Sequence, residues 1–323
     1  MTDHGATPTT QAVSQPPNLA DALPRGFSDL IAGAIDLHVH GQPDLSRAAV
    51  NRGSDASVAA LARQYDIRGW VLKSHLWPTM DRAAALQELF DPEEFRVFGS
   101  ITLNPQNGGV SPAVVEFAAA HGATVIFFPT WGSAADVDRG GYISTVLARG
   151  SAHFDDYATA NAISVVDSTG RLTSAAADVV DVAATLGLVV GTGHLSFAES
   201  TALAEECVDK DVSVFVNHPL HYATDPVELK QFTELGAYVE FAAAPLLHPD
   251  NHHTIRQVSA AIEEVGVEHT VLSTDVFSRW VPPEPEMLRM FAEQLTYVGV
   301  SAGELDTMLV RNPRRVLGIE GAG

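Results

Sequence analysis

Cysteine occurs once in the 323 residues, as Cys207, so no disulfide forms within the chain and nothing points to an oxidising compartment. Positive charge is scarce. Nineteen Lys and Arg face 40 Asp and Glu, a formal net charge of −21. A surface this acidic repels phosphate backbones and anionic lipid, which disfavours nucleic-acid and membrane partners. It does not predict a cationic substrate; a solvated surface that keeps the chain soluble accounts for it. No apolar run approaches the ~20 residues of a membrane helix. Residues 1–24 lack the basic start and apolar core of a secretory signal, so a cytoplasmic location is the default expectation. Several catalytic signatures are missing. There is no Gly-x-Ser-x-Gly elbow for a serine nucleophile and no Gly-x-x-x-x-Gly-Lys-Ser/Thr loop for nucleotide phosphates. Cys207 falls in a helical segment without a strand-end partner, which excludes thiol catalysis.

Apolar residues are plentiful, at 46% against 18% charged, and the length suits one (β/α) barrel of about 250 residues with a tail and insertions. Residues 1–17 read as a disordered arm and residues 18–323 as a single domain entered through a short helix over 19–32. Eight short apolar runs follow: 34–40, 69–75, 96–103, 124–129, 188–194, 213–218, 237–242 and 270–275. They are rich in Val, Ile, Leu and Phe and mostly lack polar alternation, the signature of strands buried on both faces. Helical patterns lie between them, over 57–65, 81–90, 112–121, 174–186, 198–210, 226–235 and 254–265. Glycines such as Gly122, Gly187 and Gly236 follow these helices, as helix C-termini favour. The alternation predicts a distorted (β/α)8 TIM-type barrel. One stretch breaks the rhythm. Residues 131–160, rich in Gly and Asp, read as a long loop, and residues 163–173, around the Thr169-Gly170 turn, as a β-hairpin. This insertion after the fourth strand is a lid, a binding loop or an oligomer contact.

Polar residues able to bind metal sit at the C-terminal ends of the apolar runs, where a parallel barrel builds its active site. His38 and His40 end the first run, Lys73 and His75 the second, His194 the fifth, His218 the sixth and Asp275 the eighth. Side chains alternate along a strand, so His38 and His40 point the same way and can present two imidazoles to one ion. Imidazole and carboxylate suit Zn, Mn or Fe. Asp275 can move protons to and from water and a leaving group. Lys73 is either carboxylated or a cation that fixes an anionic substrate; a plain salt bridge is the bland alternative. His75 is an extra ligand or a substrate contact. Glu240, inside the seventh run, needs a buried partner. It either orients a histidine, contacts substrate or forms a structural ion pair. In the loops at the same end, Tyr222, Arg279 and Trp280 are candidates for substrate binding. Asp44, Ser46, Arg47, Arg52, His221 and His248 are weaker ones, and His252 and His253 read as exposed at a helix start.

The motifs Asp36-Leu37-His38-Val39-His40, Gly193-His194-Leu195-Ser196, Asn217-His218-Pro219, Ser273-Thr274-Asp275 and Asn312-Pro313-Arg314-Arg315-Val316-Leu317-Gly318 resemble, in this order, those of the amidohydrolase superfamily. The resemblance runs from about residue 34 to 318 and points to a branch with a Val71-Leu72-Lys73-Ser74-His75 second strand. It implies a barrel holding one or two divalent ions, usually zinc. His38, His40 and Asp275 would hold the first, and His194 and His218 the second or the substrate. The fourth strand offers neither the lysine nor the glutamate that often bridges two ions in such enzymes. The expected function is hydrolysis of an amide, cyclic imide, lactone or ester of a small molecule by metal-activated water, in a chain that is monomeric or a homo-oligomer. The alternatives are a metal-dependent decarboxylase or lyase, a phosphoesterase, and a barrel that has lost catalysis and serves as a scaffold.

Overall fold

β-Branched and aromatic residues in runs of three to seven pair here as parallel strands, because helices cover one face of the sheet and the closed lumen covers the other. The structure is a computed structural model and describes residues 28–45, 53–221, 225–248, 253–278 and 281–319. In chain order the main elements begin with β1 (Ile35–His40), α1 (Asp55–Gln64), β2 (Gly69–Lys73), α2 (Met80–Gln87), β3 (Arg96–Thr102), α3 (Pro112–Ala120) and β4 (Ala123–Phe127). Three short helices follow β4: α4 (Ala134–Arg139), α5 (Tyr142–Ala148) and α6 (Phe154–Ala160). Then come α7 (Ser174–Leu186), β5 (Val189–Gly191), α8 (Phe197–Asp209), β6 (Val214–Val216), α9 (Lys230–Leu235), β7 (Tyr238–Ala242), α10 (Ile255–Val265) and β8 (Thr270–Ser273). The chain ends in α11 (Glu284–Tyr297), α12 (Ala302–Asp306) and α13 (Asn312–Val316).

The strands run in the order β1 to β8, each parallel to the next. Closure of β8 onto β1 uses Asp36. Its carboxylate accepts from the Thr274 hydroxyl at 2.6 Å and the Thr274 amide at 3.2 Å, while the Asp275 amide donates to the His38 carbonyl at 2.9 Å. This is the eight-stranded barrel expected from the sequence.

Two apolar shells result. Val39, Trp70, Leu72, Ile126, Val190 and Val239 face the helices. Ile35, Leu37, Val71, Phe98, Val125, Phe127, Phe215 and Val271 fill the lumen, with Val316 and Leu317 packed against them. The Asn312-Pro313 motif has a structural task here. Asn312 Nδ2 donates to the carbonyls of Val267 and Thr270 at 2.8 and 2.6 Å and ties α13 to the start of β8.

The expectations differ from the structure in four places. Residues 134–160 are three short helices rather than a loop, packed on Trp131 through Ile143, Phe154 and Ala158. The expected hairpin is a single antiparallel bridge, Val166 to Leu172, around a turn in which the Gly170 amide donates to the Asp167 carbonyl. Helix α11, fourteen residues long, was not foreseen. The arm at residues 1–17 lies outside the described residues, and the described part of the expected entry helix, 28–32, is bend and turn. No helix among the described residues is long and apolar enough to cross a membrane.

Candidate metal centre

A fault in the strand register aims the first two histidines. Ile35 pairs with Gly69 and Asp36 with Trp70, but Val39 pairs with Leu72 and His40 with Lys73. Three steps on β1 thus answer two on β2, a β-bulge, which reverses which side chains face inward. Ile35 and Leu37 point into the lumen before it. Strict alternation would have sent His38 and His40 outward with Asp36. After the bulge Val39 packs outward and both histidines turn in, with their Nε2 atoms 3.2 Å apart. Asp36 supports the kink by accepting from the His38 amide at 3.0 Å.

Asp275 meets this pair from the other side of the barrel seam. Its Oδ1 lies 3.1 Å from His38 Nε2 and 3.0 Å from His40 Nε2. Its Oδ2 lies 3.8 Å from His218 Nε2. Asp275 and His218 both stand two residues past their strands with φ near +51°, a conformation that costs energy outside glycine and recurs at functional sites. One donor atom each of His38, His218 and Asp275 falls within 4.8 Å of the others, and His40, Asp44 and His75 make a second such trio. His194 stands further out, its ring 5.3 Å from His218 and 5.6 Å from His75. Lys73 Nζ lies 2.9 Å from His38 Nε2 and 4.9 Å above the Phe127 ring, fully buried.

Buried carboxylates stand behind three of the histidines. His38 Nδ1 lies 3.1 Å from Glu240, His40 Nδ1 lies 2.8 Å from Asp44, and His194 Nδ1 lies 3.2 Å from Asp136. A carboxylate at Nδ1 fixes the ring and the tautomer that leaves the Nε2 lone pair free, the arrangement metal-binding imidazoles use. Glu240 is itself held by Asn217 Nδ2 at 2.6 Å and Ser273 Oγ at 2.7 Å. Asp136 comes from α4 in the insertion and also pairs with Arg139.

Charge balance and spacing both fit a divalent ion. Burial opposes ionisation of Asp44, Glu240 and Asp275, yet contacts with His40, His38 and, at Asp275, His38 and His218 outweigh it. All three are held below the usual carboxylate range, Glu240 down to about 2. Against these carboxylates stands Lys73, whose own pKa burial lowers against the pull of Asp275, Glu240 and Asp44. Carboxylates thus predominate beneath the cavity, which favours a bound cation. Burial and Lys73 depress the His38 pKa, but Glu240 and Asp275 raise it to about 9. Burial keeps His194 and His218 neutral and so able to ligate. The triangle of His38 Nε2, His40 Nε2 and Asp275 Oδ1, with edges of 3.0 to 3.2 Å, suits donors that share an ion at about 2.0–2.2 Å.

A cavity of about 440 Å³ opens over this floor, bounded below by His75, His194, His218 and Asp275. Helices α4 and α5 wall one side through Asp136, Arg139 and Tyr142; Phe277 and Val281 wall another. The structure therefore brings together His38, His40, His218 and Asp275, with His194 and His75 beside them. Lys73 and Glu240 lie beneath the histidines and do not line this cavity, and Glu240 faces His38. His221, His248 and His253 line the outer cavity. Tyr222, Arg279 and Trp280 lie outside the described residues, as do Ser46, Arg47, Arg52 and His252. Sequence reasoning missed Asp136, for which the Asp-rich insertion was the one available signal, and left Asp44 as a weak loop candidate.

The model of a family of unknown function, DUF6282, matches residues 33–240, which carry the strands β1 to β6 and the first part of β7. The chain belongs to DUF6282. No curated protein matches it. Solved structures share its barrel at low identity. The probable dipeptidase PvdM from Pseudomonas aeruginosa is 12% identical with a TM-score of 0.58, over 91% of this chain and 97% of its own. An amidohydrolase from Pseudomonas aeruginosa is 14% identical with a TM-score of 0.52, over 90% and 96%. The organophosphorus hydrolase from Deinococcus radiodurans is 14% identical with a TM-score of 0.55, over 90% and 94%. This DUF6282 chain thus has the fold that the amidohydrolase resemblance implied, and has it in common with solved hydrolases along nearly its whole length.

Proposed function

We propose that this DUF6282 protein is a metal-dependent hydrolase that uses water to cleave a C–N or C–O bond in a small amide, cyclic imide, lactone or ester. The carrying observation is the convergence of His38 Nε2, His40 Nε2 and Asp275 Oδ1, with Glu240 and Asp44 behind the two rings. The ion expected is zinc, with manganese or iron as alternatives, in one or two copies; His218 and His194 supply the donors next in line. A bound divalent ion would provide Lewis acidity and lower the pKa of water toward about 7. Asp275, held ionised beside the cavity, accepts a proton from water and returns it to the leaving nitrogen or oxygen. Lys73, kept off the cavity wall, offsets charge on Asp275 and Glu240. The cavity volume suits a small molecule.

The test is a metal count on the purified full chain, joined to a screen of lactones, cyclic imides, amides, esters and aromatic acids. Acid release without carbon dioxide is the expected signal; carbon dioxide release selects the decarboxylase reading. Asp275→Asn should keep the fold and lower kcat by about 10²–10⁴-fold. A chain that binds no divalent ion, or an Asp275→Asn variant with near-normal kcat, sinks the proposal.

A further inference from the structure

His75 is set apart from the other buried histidines by what stands behind it. Its Nδ1 lies 3.1 Å from a hydroxyl, Thr130 Oγ1, where His38, His40 and His194 each have a carboxylate. The direction of that bond follows from Asn104. Asn104 Oδ1 accepts from the backbone amides of Thr130 at 2.8 Å and Gly132 at 3.1 Å, so the orientation of the amide is settled. Asn104 Nδ2 must then be the donor, and it donates to the His75 carbonyl at 2.9 Å and to Thr130 Oγ1 at 2.8 Å. Thr130 Oγ1 is fully buried and already accepts one hydrogen bond, and it still has a proton to place. Among the described residues the acceptor within reach is His75 Nδ1. A ring that accepts at Nδ1 carries its proton at Nε2. A ring that accepts at one nitrogen and carries its proton on the other is the neutral imidazole.

His75 Nε2 is buried, has no partner among the described residues, and belongs to a ring that lines the cavity beside His194, His218 and Asp275. The backbone holds the ring in place. The His75 amide donates to Asp44 at 2.8 Å, and its carbonyl also accepts from Trp131 Nε1 at 3.0 Å and Gln106 Nε2 at 3.2 Å. Resting on the hydrolase reading above, we propose that His75 is not a metal ligand but a neutral, fixed N–H donor to the substrate oxygen on which negative charge develops. A ligand needs a lone pair at the inward nitrogen, and the relay from Asn104 through Thr130 puts a proton there. Such a donor, fixed before the reaction begins, stabilises an oxyanion without reorganisation.

The experiment uses the full chain labelled with ¹⁵N-histidine, metal-free and zinc-loaded, with methylphosphonate as a tetrahedral-anion probe measured by calorimetry. His75, assigned by difference with His75→Gln, should be the Nε2–H tautomer in both states. Thr130→Val should release that preference, and Thr130→Ser should keep it. His75→Leu should weaken methylphosphonate binding by about tenfold or more. His75→Gln, which keeps an N–H, should lose less, and zinc per chain should stay unchanged in both. An Nδ1–H tautomer, a ligation shift at Nε2 when zinc is added, a fall in zinc per chain, or methylphosphonate binding that is absent or indifferent to His75→Leu overturns the assignment. A wild-type chain that takes up no zinc overturns the hydrolase reading instead, and the tautomer still decides His75.

Discussion

A histidine in a strand-end position carries little information alone; the group at its far nitrogen decides what it can do. Glu240 illustrates this. It is fully buried, faces His38 Nδ1, and receives hydrogen bonds from Asn217 and Ser273. Glu240→Gln keeps the volume but removes the charge that makes the His38 imidazole a better donor. Metal affinity should fall about 10–100-fold in competition with a chelator while the fold persists. Unchanged affinity would show that Glu240 is only a structural ion pair. His38, His40, His194, His218 and Asp275 were legible in the sequence because they recur at one place in a repeating pattern. Glu240 stood out as a carboxylate inside an apolar run. Asp136 and Asp44 did not, because residues outside the strands obey no period. Their partners, His194 and His40, are 58 and four positions away and become neighbours only through the fold.

At the scale of elements, all eight strands and seven of the helices were readable from apolar runs, and the strand ends were not. The runs continue past the last ladder hydrogen bonds, because the loops after β5, β6 and β8 dive back over the barrel mouth and stay buried. Helix α11 opens on Pro282-Pro283-Glu284-Pro285, which masks its period. The β1 bulge left no mark in sequence at all, and the inward aim of His38 and His40 depends on it. One glycine makes the loop after β5 possible. Gly193 has φ +63°, and a Cβ there would overlap the Phe128 and Pro129 carbonyl oxygens, while its neighbour's amide donates to the Pro129 carbonyl. Gly193→Ala should cost roughly 2–4 kcal/mol from strain and overlap together and should displace His194. Gly187→Ala is the control. Its φ is similar, +64°, but a Cβ meets nothing within 4 Å, so its cost should be only about 1–2 kcal/mol. Urea unfolding midpoints compare the two, and equal losses would refute the steric argument.

At the scale of the whole molecule, the proposed ion and the net charge of −21 make separable claims on stability. A centre that binds only the folded chain stabilises it by mass action, about 4 kcal/mol when free ion stands at 1,000 times Kd. For a domain of this size, stripping the ion with a chelator should lower Tm by roughly 5–15 °C, and adding zinc back should restore it. An acidic surface invites a rival explanation, since any divalent cation collecting around 40 carboxylates also relieves repulsion. The two respond differently to salt. Diffuse binding at the surface is screened over a Debye length of about 6 Å or less by 0.3 M NaCl. A centre whose donors, His38, His40 and Asp275, are at most 6% exposed is screened far less. Calorimetric scans in 0.3 M NaCl with magnesium present throughout should therefore still show the drop on removing zinc. A drop that vanishes under those conditions would assign the stabilisation to the surface and leave the convergence of imidazoles without an ion to hold.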